Sequence, residues 1–246
     1  MMTTAAKFEN QQILVVGATG GLGASIARQL QEEGARLILA GRDTEKLSAL
    51  VKDLECDSVA VDLANAEGRV QLVDAVDALD GFVYAAGVAP IAPVRYLKDA
   101  DVDSCLNLNA AAPWLLVRDL LKKKKLNSGA SIVCLSSVAA GRGTAGYSAY
   151  SASKAALEAF VRCLALEIAP KGMRANCIAP GMIETDMTEA AAERISDEAL
   201  AEHLKAYPLG VGKPSDVAEA TSFLLSEASR WVTGITLSVD GGYSIH

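Results

Sequence analysis

Short, mainly apolar runs alternate with longer amphipathic stretches along this chain. Runs of four to six residues are typical of parallel strands that are covered on both faces. They predict seven strands, at Ile13–Val16, Leu37–Ala40, Ser58–Val61, Phe82–Ala85, Ser131–Leu135, Arg174–Ala179 and Thr236–Val239. Helical periodicity fills the intervals, and no unit of about 20 to 50 residues repeats, which excludes a solenoid. The order predicts a single α/β domain with a doubly wound parallel sheet and helices on both of its faces.

The longest helical pattern opens near Tyr150 and brings two polar groups together. Its apolar stripe is spaced by four, three and four residues, at Leu157, Val161, Leu164 and Ile168. Tyr150 and Lys154 therefore share one face, one turn apart. A phenol with its ordinary pKa of about 10 holds its proton too tightly for transfer near neutrality, so we expect the Lys154 ammonium to lower the pKa of Tyr150. A tyrosine and a lysine at this spacing also occur on many helices that do no chemistry.

A glycine-rich turn joins the first strand to the first helix. It reads Gly17-Ala18-Thr19-Gly20-Gly21-Leu22-Gly23. Such a turn lets the backbone N–H groups approach a pyrophosphate while the helix N-terminus faces the negative charge. We therefore predict dinucleotide binding in preference to an ordinary glycine turn.

The end of the second predicted strand bears on the choice of cofactor. Dinucleotide sites usually carry there an acid for the ribose 2′-hydroxyl or an arginine for a 2′-phosphate. Here Gly41 takes the strand-end position and Arg42 follows, so we expect NADPH/NADP+ in preference to NADH, with Asp43 and Thr44 capping the next helix. A surface arginine in a turn is the alternative.

Composition narrows the classes of function. The 246 residues are 51% hydrophobic and can bury a large core. A net charge of −7 argues against nucleic acid as a partner, and no apolar segment reaches the roughly 18 residues of a membrane span. The five cysteines show no paired spacing, so we interpret them as reduced, buried residues of a cytoplasmic chain. No metal site is predicted.

Taken together, the motifs resemble those of the short-chain dehydrogenase/reductase family over essentially the whole chain. The matching pieces are Gly17-x-x-x-Gly21-x-Gly23, Asp62, Ala86-Gly87, Asn109, Ser137, Tyr150-x-x-x-Lys154, Pro180-Gly181-Met182-Ile183-Glu184-Thr185 and Thr233-Gly234 to Val239-Asp240-Gly241-Gly242. The resemblance implies one Rossmann-type NAD(P)-binding domain over residues 1–246. It also implies NADPH-dependent transfer of hydride to a ketone, reversible as alcohol oxidation.

The resemblance assigns catalytic roles to four residues. Tyr150 would give its proton to the substrate oxygen, and Lys154 would hold the nicotinamide ribose and bias the phenol. Ser137 would bind the substrate oxygen, and it is preferred to Ser136 because the family's interval of thirteen residues to the tyrosine matches it.

The fourth catalytic residue is Asn109, which would tie Lys154 to a water chain and fits the family run better than Asn107. The implied cofactor-binding residues are Gly17, Thr19, Gly20, Gly21, Leu22, Gly23, Arg42, Asp62, Leu63, Ala86, Gly87, Tyr150, Lys154, Pro180, Gly181, Ile183 and Thr185. Asp62 and Leu63 would border the adenine. Candidates for the substrate pocket are Ala139, Tyr147 and Met182.

The chain departs from the family at two neighbouring strand ends. Val16 stands where threonine is usual, and Tyr84-Ala85 stands where the family has two asparagines. Loss of both partners of a buried hydrogen bond can be nearly neutral. We therefore expect an intact cofactor site, provided that the two strands are neighbours.

The resemblance also suggests a substrate and partners. Residues 182–209 resemble a substrate lid, with a solvated helical pair as the alternative. The stretch Pro180–Met187 resembles that of 3-oxoacyl-acyl-carrier-protein reductases, whose basic residues after the fourth helix and before the sixth strand are thought to dock an acyl carrier protein. Lys122–Lys125 and Lys171 occupy such places here, so the resemblance implies that they would dock the carrier. A reductase of another small ketone, diketone or sugar remains open, as does a non-catalytic NADP-binding regulator. A homotetramer or homodimer is expected, through helices at Ala110–Leu121 and Ser151–Ile168.

Overall fold

The computed structural model describes residues 6–186, 188 and 196–245 of the chain. Over these residues, seven parallel strands form one sheet in the order β3-β2-β1-β4-β5-β6-β7. The strands are β1 (Gln12–Val16), β2 (Arg36–Gly41), β3 (Asp57–Ala60), β4 (Leu79–Tyr84), β5 (Leu126–Leu135), β6 (Arg174–Pro180) and β7 (Thr236–Val239). The predicted doubly wound α/β fold is confirmed.

Helices cover both faces of this sheet. They are α1 (Gly21–Glu32), α2 (Thr44–Leu54), α3 (Ala66–Ala75), α4 (Asp99–Ser104), α5 (Ala112–Lys122), α6 (Ser148–Ile168), α7 (Asp197–Leu204) and α8 (Pro214–Leu225). β1 shows why the strands are apolar throughout, since Leu14 and Val16 pack into one core cluster and Ile13 and Val15 into the other. The first cluster lies beneath α5 and α6, and the second lies beneath α1 and α8.

Two differences from the sequence-based prediction concern element boundaries. β5 begins at Leu126 rather than Ser131, and its register with β4 shifts between Leu79 and Gly81. A helical path also begins at Asp99 and runs through a π-helical segment, Cys105–Ala111, into α5. The prediction placed the start of this helix at Ala110.

The two strand ends that depart from the family pattern are neighbours. Val16 pairs in register with Tyr84, and the amide of Ala85 donates a 2.8 Å hydrogen bond to the Val16 carbonyl oxygen. The order of the strands reverses here, between β1 and β4. In open α/β sheets this is the point at which a crevice opens at the carboxyl ends of the strands.

All five cysteines are free thiols. Cys105, Cys134 and Cys177 are buried, but Cys163 is exposed on α6 and Cys56 is only partly buried. The expectation that all of them are core residues is therefore wrong for these two. No helix in the described part of the chain has the length and apolar character to cross a membrane.

Candidate active site

The start of α6 carries the tyrosine and lysine pair on one face, at the carboxyl edge of the sheet. Tyr150 is half-buried, and Lys154 is 4% exposed. The Nζ atom of Lys154 lies 5.8 Å from the centroid of the Tyr150 ring. The same Nζ atom donates a 2.7 Å hydrogen bond to the carbonyl oxygen of Leu135, the last residue of β5. The lysine is thus fixed between its own helix and the neighbouring strand.

The protonation of this pair differs from the expectation. Burial raises the pKa of Tyr150, and a hydrogen bond with the Ser137 side chain only partly offsets that rise. Burial also lowers the pKa of Lys154 to about 8. The pKa of Tyr150 is therefore raised, against the expectation that Lys154 lowers it, because desolvation by burial is the largest influence on this phenol.

The two serines after β5 point to different partners. The Ser137 hydroxyl meets Tyr150 and also accepts a 3.2 Å hydrogen bond from the amide of Ala139. Ser136 is buried and donates a 2.7 Å hydrogen bond to Glu158 Oε1 on α6. Of the two serines, Ser137 is thus the one beside the Tyr150 phenol. Ser137 and Tyr150 are the pair expected to bind the same substrate oxygen.

Asn109 is fully buried in the π-helical segment. Its Nδ2 donates to the Val88 carbonyl oxygen at 2.8 Å and to Ser153 Oγ at 2.9 Å, and its Oδ1 accepts from the Val88 amide at 2.9 Å. Among the described hydrogen bonds none joins this amide to Lys154. A Cβ atom on Gly87 would lie 3.1 Å from Asn109 Oδ1 and 3.4 Å from Lys154 Nζ, so a side chain at this position would press on both groups. π-Helical turns of this kind are frequent at functional sites.

Tyr84 supports the π-helical segment, a role that the sequence did not reveal. Its ring is fully buried, and its hydroxyl donates a 2.7 Å hydrogen bond to the carbonyl oxygen of Leu108. Burial raises the pKa of this phenol far above its ordinary value, which keeps it protonated. Asn107, the alternative to Asn109, instead donates a 2.7 Å hydrogen bond to the carbonyl oxygen of Ala64.

The glycine turn leaves a cradle of backbone at the N-terminus of α1. Gly17 has φ +80°, and a Cβ atom there would lie 2.5 Å from the Ala86 amide, so only glycine lets β1 and β4 approach this closely. Gly20 precedes α1, and within the described chain no side chain caps this helix. Its first turn is uncharged. An exposed, uncapped N-terminus fits the phosphates of a dinucleotide.

The remaining residues of the turn close this cradle. A Cβ atom on Gly23 would lie 2.1 Å from the Gly17 carbonyl oxygen, and one on Gly21 would lie 3.0 Å from Thr185 Cγ2. Leu22 packs against the core beneath α1. Thr19 lies against Gly41, with 3.0 Å from Thr19 Cγ2 to a Cβ atom built on that glycine.

The adenine end of the proposed site is formed by the ends of β2 and β3. Arg42 is exposed, and the Asp43 side chain caps α2 by accepting from the amide of Lys46 at 3.0 Å. Asp62 is exposed and accepts a 3.0 Å hydrogen bond from the Ala64 amide. Leu63 is buried, and the buried Arg69 side chain holds its carbonyl oxygen at 3.1 Å. The predicted adenine border is therefore a fixed turn.

The loop after β6 passes across the opposite end of the crevice. Pro180 ends the strand, and the Gly181 amide donates to the Val239 carbonyl oxygen at 3.0 Å. Ile183 is buried and forms an isolated bridge with Gly212. Thr185 then reaches the N-terminus of α1. The loop thus spans from the end of the sheet to the proposed phosphate cradle.

A buried aromatic cluster fixes this loop, and sequence reasoning missed it. The Met182 amide donates a 3.2 Å hydrogen bond to the Tyr207 hydroxyl. The rings of Tyr207 and Tyr243 are stacked, with centroids 4.5 Å apart, and Arg142 Cζ lies 4.5 Å from the Tyr243 centroid. His203 of α7 meets both rings edge-on. No periodicity marks these contacts, which join four separate segments.

The proposed substrate residues lie around Tyr150. Tyr147 meets it edge-on with ring centroids 6.0 Å apart, and Ala139 is buried in the turn after Ser137. Met182 is partly buried in the loop after β6. Within the predicted lid, residues 187 and 189–195 lie outside the described residues.

Known proteins resemble this chain over nearly its full length. The family model described as "Enoyl-(Acyl carrier protein) reductase" matches residues 17–244. The 3-oxoacyl-[acyl-carrier-protein] reductase FabG of Rickettsia bellii is 36% identical over 94% of this chain and 96% of its own length. A short-chain dehydrogenase/reductase structure from Brucella melitensis (SDR:Glucose/ribitol dehydrogenase) is 32% identical and covers 99% of this chain and 100% of its own, with a TM-score of 0.91. A blue fluorescent protein from a metagenomic library, in complex with NADPH, is 30% identical and has a TM-score of 0.88, over 97% of this chain and 99% of its own.

Proposed function

This chain belongs to the short-chain dehydrogenase/reductase family of oxidoreductases, and we propose that it is an NADPH-dependent reductase of a substrate ketone, reversible as alcohol oxidation. The observation that carries the proposal is that Ser137, Tyr150 and Lys154 meet at the carboxyl edge of the sheet, where the uncapped N-terminus of α1 also lies. Ser137 would bind a carbonyl, Tyr150 would supply a proton, and the N-terminus of α1 would hold a dinucleotide.

The chain's own residues divide the work of the reduction. When bound, the nicotinamide cofactor supplies the hydride that reaches the carbonyl carbon. Ser137 donates a hydrogen bond to the carbonyl oxygen and holds it in line with the phenol. Tyr150 gives its proton to that oxygen as negative charge develops there. The raised pKa of Tyr150 keeps this proton in place at neutral pH until the oxygen needs it.

Lys154 and Asn109 restore the phenol after each turnover. Lys154 stands between Tyr150 and the end of β5, where its Nζ atom is held by Leu135. A pKa of about 8 lets it give up and regain a proton near neutrality. We assign Asn109 to ordering the water that leads from Lys154 to solvent, since Asn109 Oδ1 and Lys154 Nζ both lie within 3.4 Å of a Cβ atom built on Gly87.

Preference for NADPH is part of the proposal. Arg42 lies exposed at the end of β2, where an arginine suits a 2′-phosphate and an acid would suit a free 2′-hydroxyl. The NADPH in the related metagenomic structure supports the same choice.

A test of the function compares NADPH consumption by the wild type and Tyr150→Phe with a panel of ketones. We expect the variant to bind NADPH with unchanged affinity and to lose turnover by about 10²- to 10⁴-fold, which is the usual contribution of a general acid. Tight NADPH binding by the wild type without turnover of any ketone would favour the regulator instead.

We further propose that the ketone is carried by an acyl carrier protein, as the name of the Rickettsia relative suggests. The basic residues divide into two groups. Lys123 pairs with Asp74, and Lys125 Nζ donates a 2.6 Å hydrogen bond to the Val76 carbonyl oxygen. Lys122, Lys124 and Lys171 are exposed and are the better candidates to meet an acidic carrier.

These exposed lysines precede β5 and β6, so they lie at the amino edge of the sheet, opposite Tyr150. A second copy would bring them to a reaction site if α5 and α6 of two chains paired antiparallel. A groove of about 540 Å³ between α5 and α6 supports such pairing, and Trp114 is 49% exposed on it. The proposed homodimer or homotetramer would thus place one chain's lysines beside its partner's site.

Charge reversal tests carrier docking. Replacing Lys122, Lys124 and Lys171 together by glutamate should raise the KM for a carrier-bound ketone at least tenfold and leave the KM for a small ketone unchanged. Lys52→Glu, at the far end of α2, is the control. Equal effects on both substrates would favour a reductase of small ketones, diketones or sugars.

A cytoplasmic location is also proposed, since all five cysteines are free.

A further inference from the structure

An exposed ion pair spans the mouth of the proposed cofactor crevice. Lys46 Nζ, in the first turn of α2, lies 3.7 Å from Asp186 Oδ2 at the end of the loop that follows β6. The same loop packs Thr185 against Gly21 at the N-terminus of α1. A dinucleotide that ran from the N-terminus of α1 toward α2 would therefore lie under the Lys46–Asp186 ion pair, with its adenosine end toward α2.

Lys46 stands close to the position proposed for the 2′-phosphate. The Lys46 amide donates a 3.0 Å hydrogen bond to the Asp43 side chain. Lys46 therefore lies next to the turn that carries Arg42. Its side chain is 61% exposed and reaches toward the crevice, as its contact with Asp186 shows. Lys46 thus lies four positions after Arg42, in the helical turn that follows the end of β2.

A phosphate at this position needs more positive charge than Arg42 provides. The glycine turn from Gly17 to Gly23 contains no basic residue, and Asp43 and Glu45 flank the site with negative charge. A phosphate monoester carries nearly two negative charges at neutral pH. A protonated Lys46 would supply a second positive charge close to Arg42.

We propose that Lys46 is a second specificity-determining cation for the 2′-phosphate of NADPH, and that Asp186 is its counter-ion until the phosphate replaces it. Exposed ion pairs contribute little to stability, so the exchange costs little. The dianion then attracts Lys46 more strongly than a single carboxylate does. Binding of the phosphate would thereby release the Asp186 end of the loop. This inference rests on the proposed preference for NADPH.

Calorimetric titration with NADPH and NADH tests the proposal without any turnover. Lys46→Met should weaken NADPH binding about tenfold, as expected for a lost charge-assisted hydrogen bond, with NADH binding unchanged within about twofold. Lys46→Arg should keep most of the NADPH affinity. Asp186→Asn should tighten NADPH binding about two- to threefold and leave NADH unaffected, because it removes the competing charge. Lys52→Met, in the last turn of the same helix, is the matched control and should change neither affinity.

The outcomes separate this inference from the function on which it rests. If the wild type prefers NADPH and Arg42→Met abolishes the preference while Lys46→Met does not, Lys46 has no such role and the proposed cofactor stands. If the wild type binds NADPH and NADH equally, both the preference and the role of Lys46 are wrong. Weaker NADPH binding by Asp186→Asn would show that the carboxylate assists Lys46, which overturns the exchange.

Discussion

The Nζ atom of Lys154 donates a 2.7 Å hydrogen bond to the carbonyl oxygen of Leu135, at the point where β5 meets α6. This contact holds the cation in a buried position, and burial lowers its pKa from 10.5 to about 8. This position therefore costs folding energy whenever the lysine is charged. Two consequences, one for stability and one for activity, can be measured on the same variant.

Lys154→Met should lose turnover and should also change how stability depends on pH. Between about pH 8 and 10.5, the unfolded chain binds the lysine proton and the folded chain does not, so this lysine makes the wild type more stable as pH rises. The free energy of unfolding of the wild type, relative to the variant, should thus rise by about 2 kcal/mol between pH 7 and 9.5. Urea denaturation of both proteins across this range measures it. Parallel pH profiles would contradict the low pKa.

The paired serines after β5 offer a matched comparison. Ser137→Ala should reduce kcat about 10²- to 10³-fold, because the carbonyl oxygen loses its hydrogen-bond donor in the transition state. Ser136→Ala removes a hydrogen bond to Glu158 and should reduce kcat by less than about tenfold. Steady-state assays with one ketone suffice. If the two variants are impaired equally, Ser137 is not the group that binds the substrate.

Tyr84→Phe tests the support of the π-helical segment. The substitution keeps the ring and leaves the Leu108 carbonyl oxygen without its donor, which should lower the free energy of unfolding by about 1 to 3 kcal/mol. Turnover should fall too, because Leu108 precedes Asn109. Chemical denaturation and kcat report the two effects. Tyr96→Phe, at a ring that is 64% exposed, should change neither, and an unchanged Tyr84→Phe would deny the support.

Tyr207→Phe tests whether the aromatic cluster positions the loop after β6. Loss of the acceptor for the Met182 amide should raise the KM for the nicotinamide cofactor and lower kcat, each about five- to tenfold. The KM for the ketone should change less. Tyr243→Phe is the control, since its hydroxyl makes no hydrogen bond to any described residue while its ring keeps the stack. A variant of Tyr207 with wild-type kinetics would limit the cluster to packing.

The fold could be predicted from the sequence because strands buried on both faces leave apolar runs. β1 is the clearest case, with Ile13 and Leu14 buried on opposite faces. An element is not marked by an apolar run where polar residues form part of it. β5 starts with Leu126 but continues through Asn127 and Ser128, so its first half carries no apolar run. The π-helical segment was missed because the apolar positions among its seven residues do not follow the period of an α-helix.

The candidate site could be predicted as far as its parts lie within single motifs. Spacing placed Tyr150 and Lys154 on one face, but it could not give the sign of the pKa change at Tyr150, because that depends on desolvation by the whole surrounding fold. Contacts between distant segments also left no trace in the sequence. Tyr207 and Tyr243 stack although Tyr243 lies 36 positions after Tyr207 in the chain.

Gly87 leaves little room for a larger side chain beside Asn109 and Lys154. A methyl group on its Cα would lie 3.1 Å from Asn109 Oδ1 and 3.4 Å from Lys154 Nζ, so it would press against both. Gly87→Ala would therefore press on an acceptor, the Asn109 amide oxygen, and on a donor, the Lys154 ammonium, without removing any polar group from the site. Turnover of that variant would show how much added volume the site tolerates beside the Asn109 and Lys154 side chains.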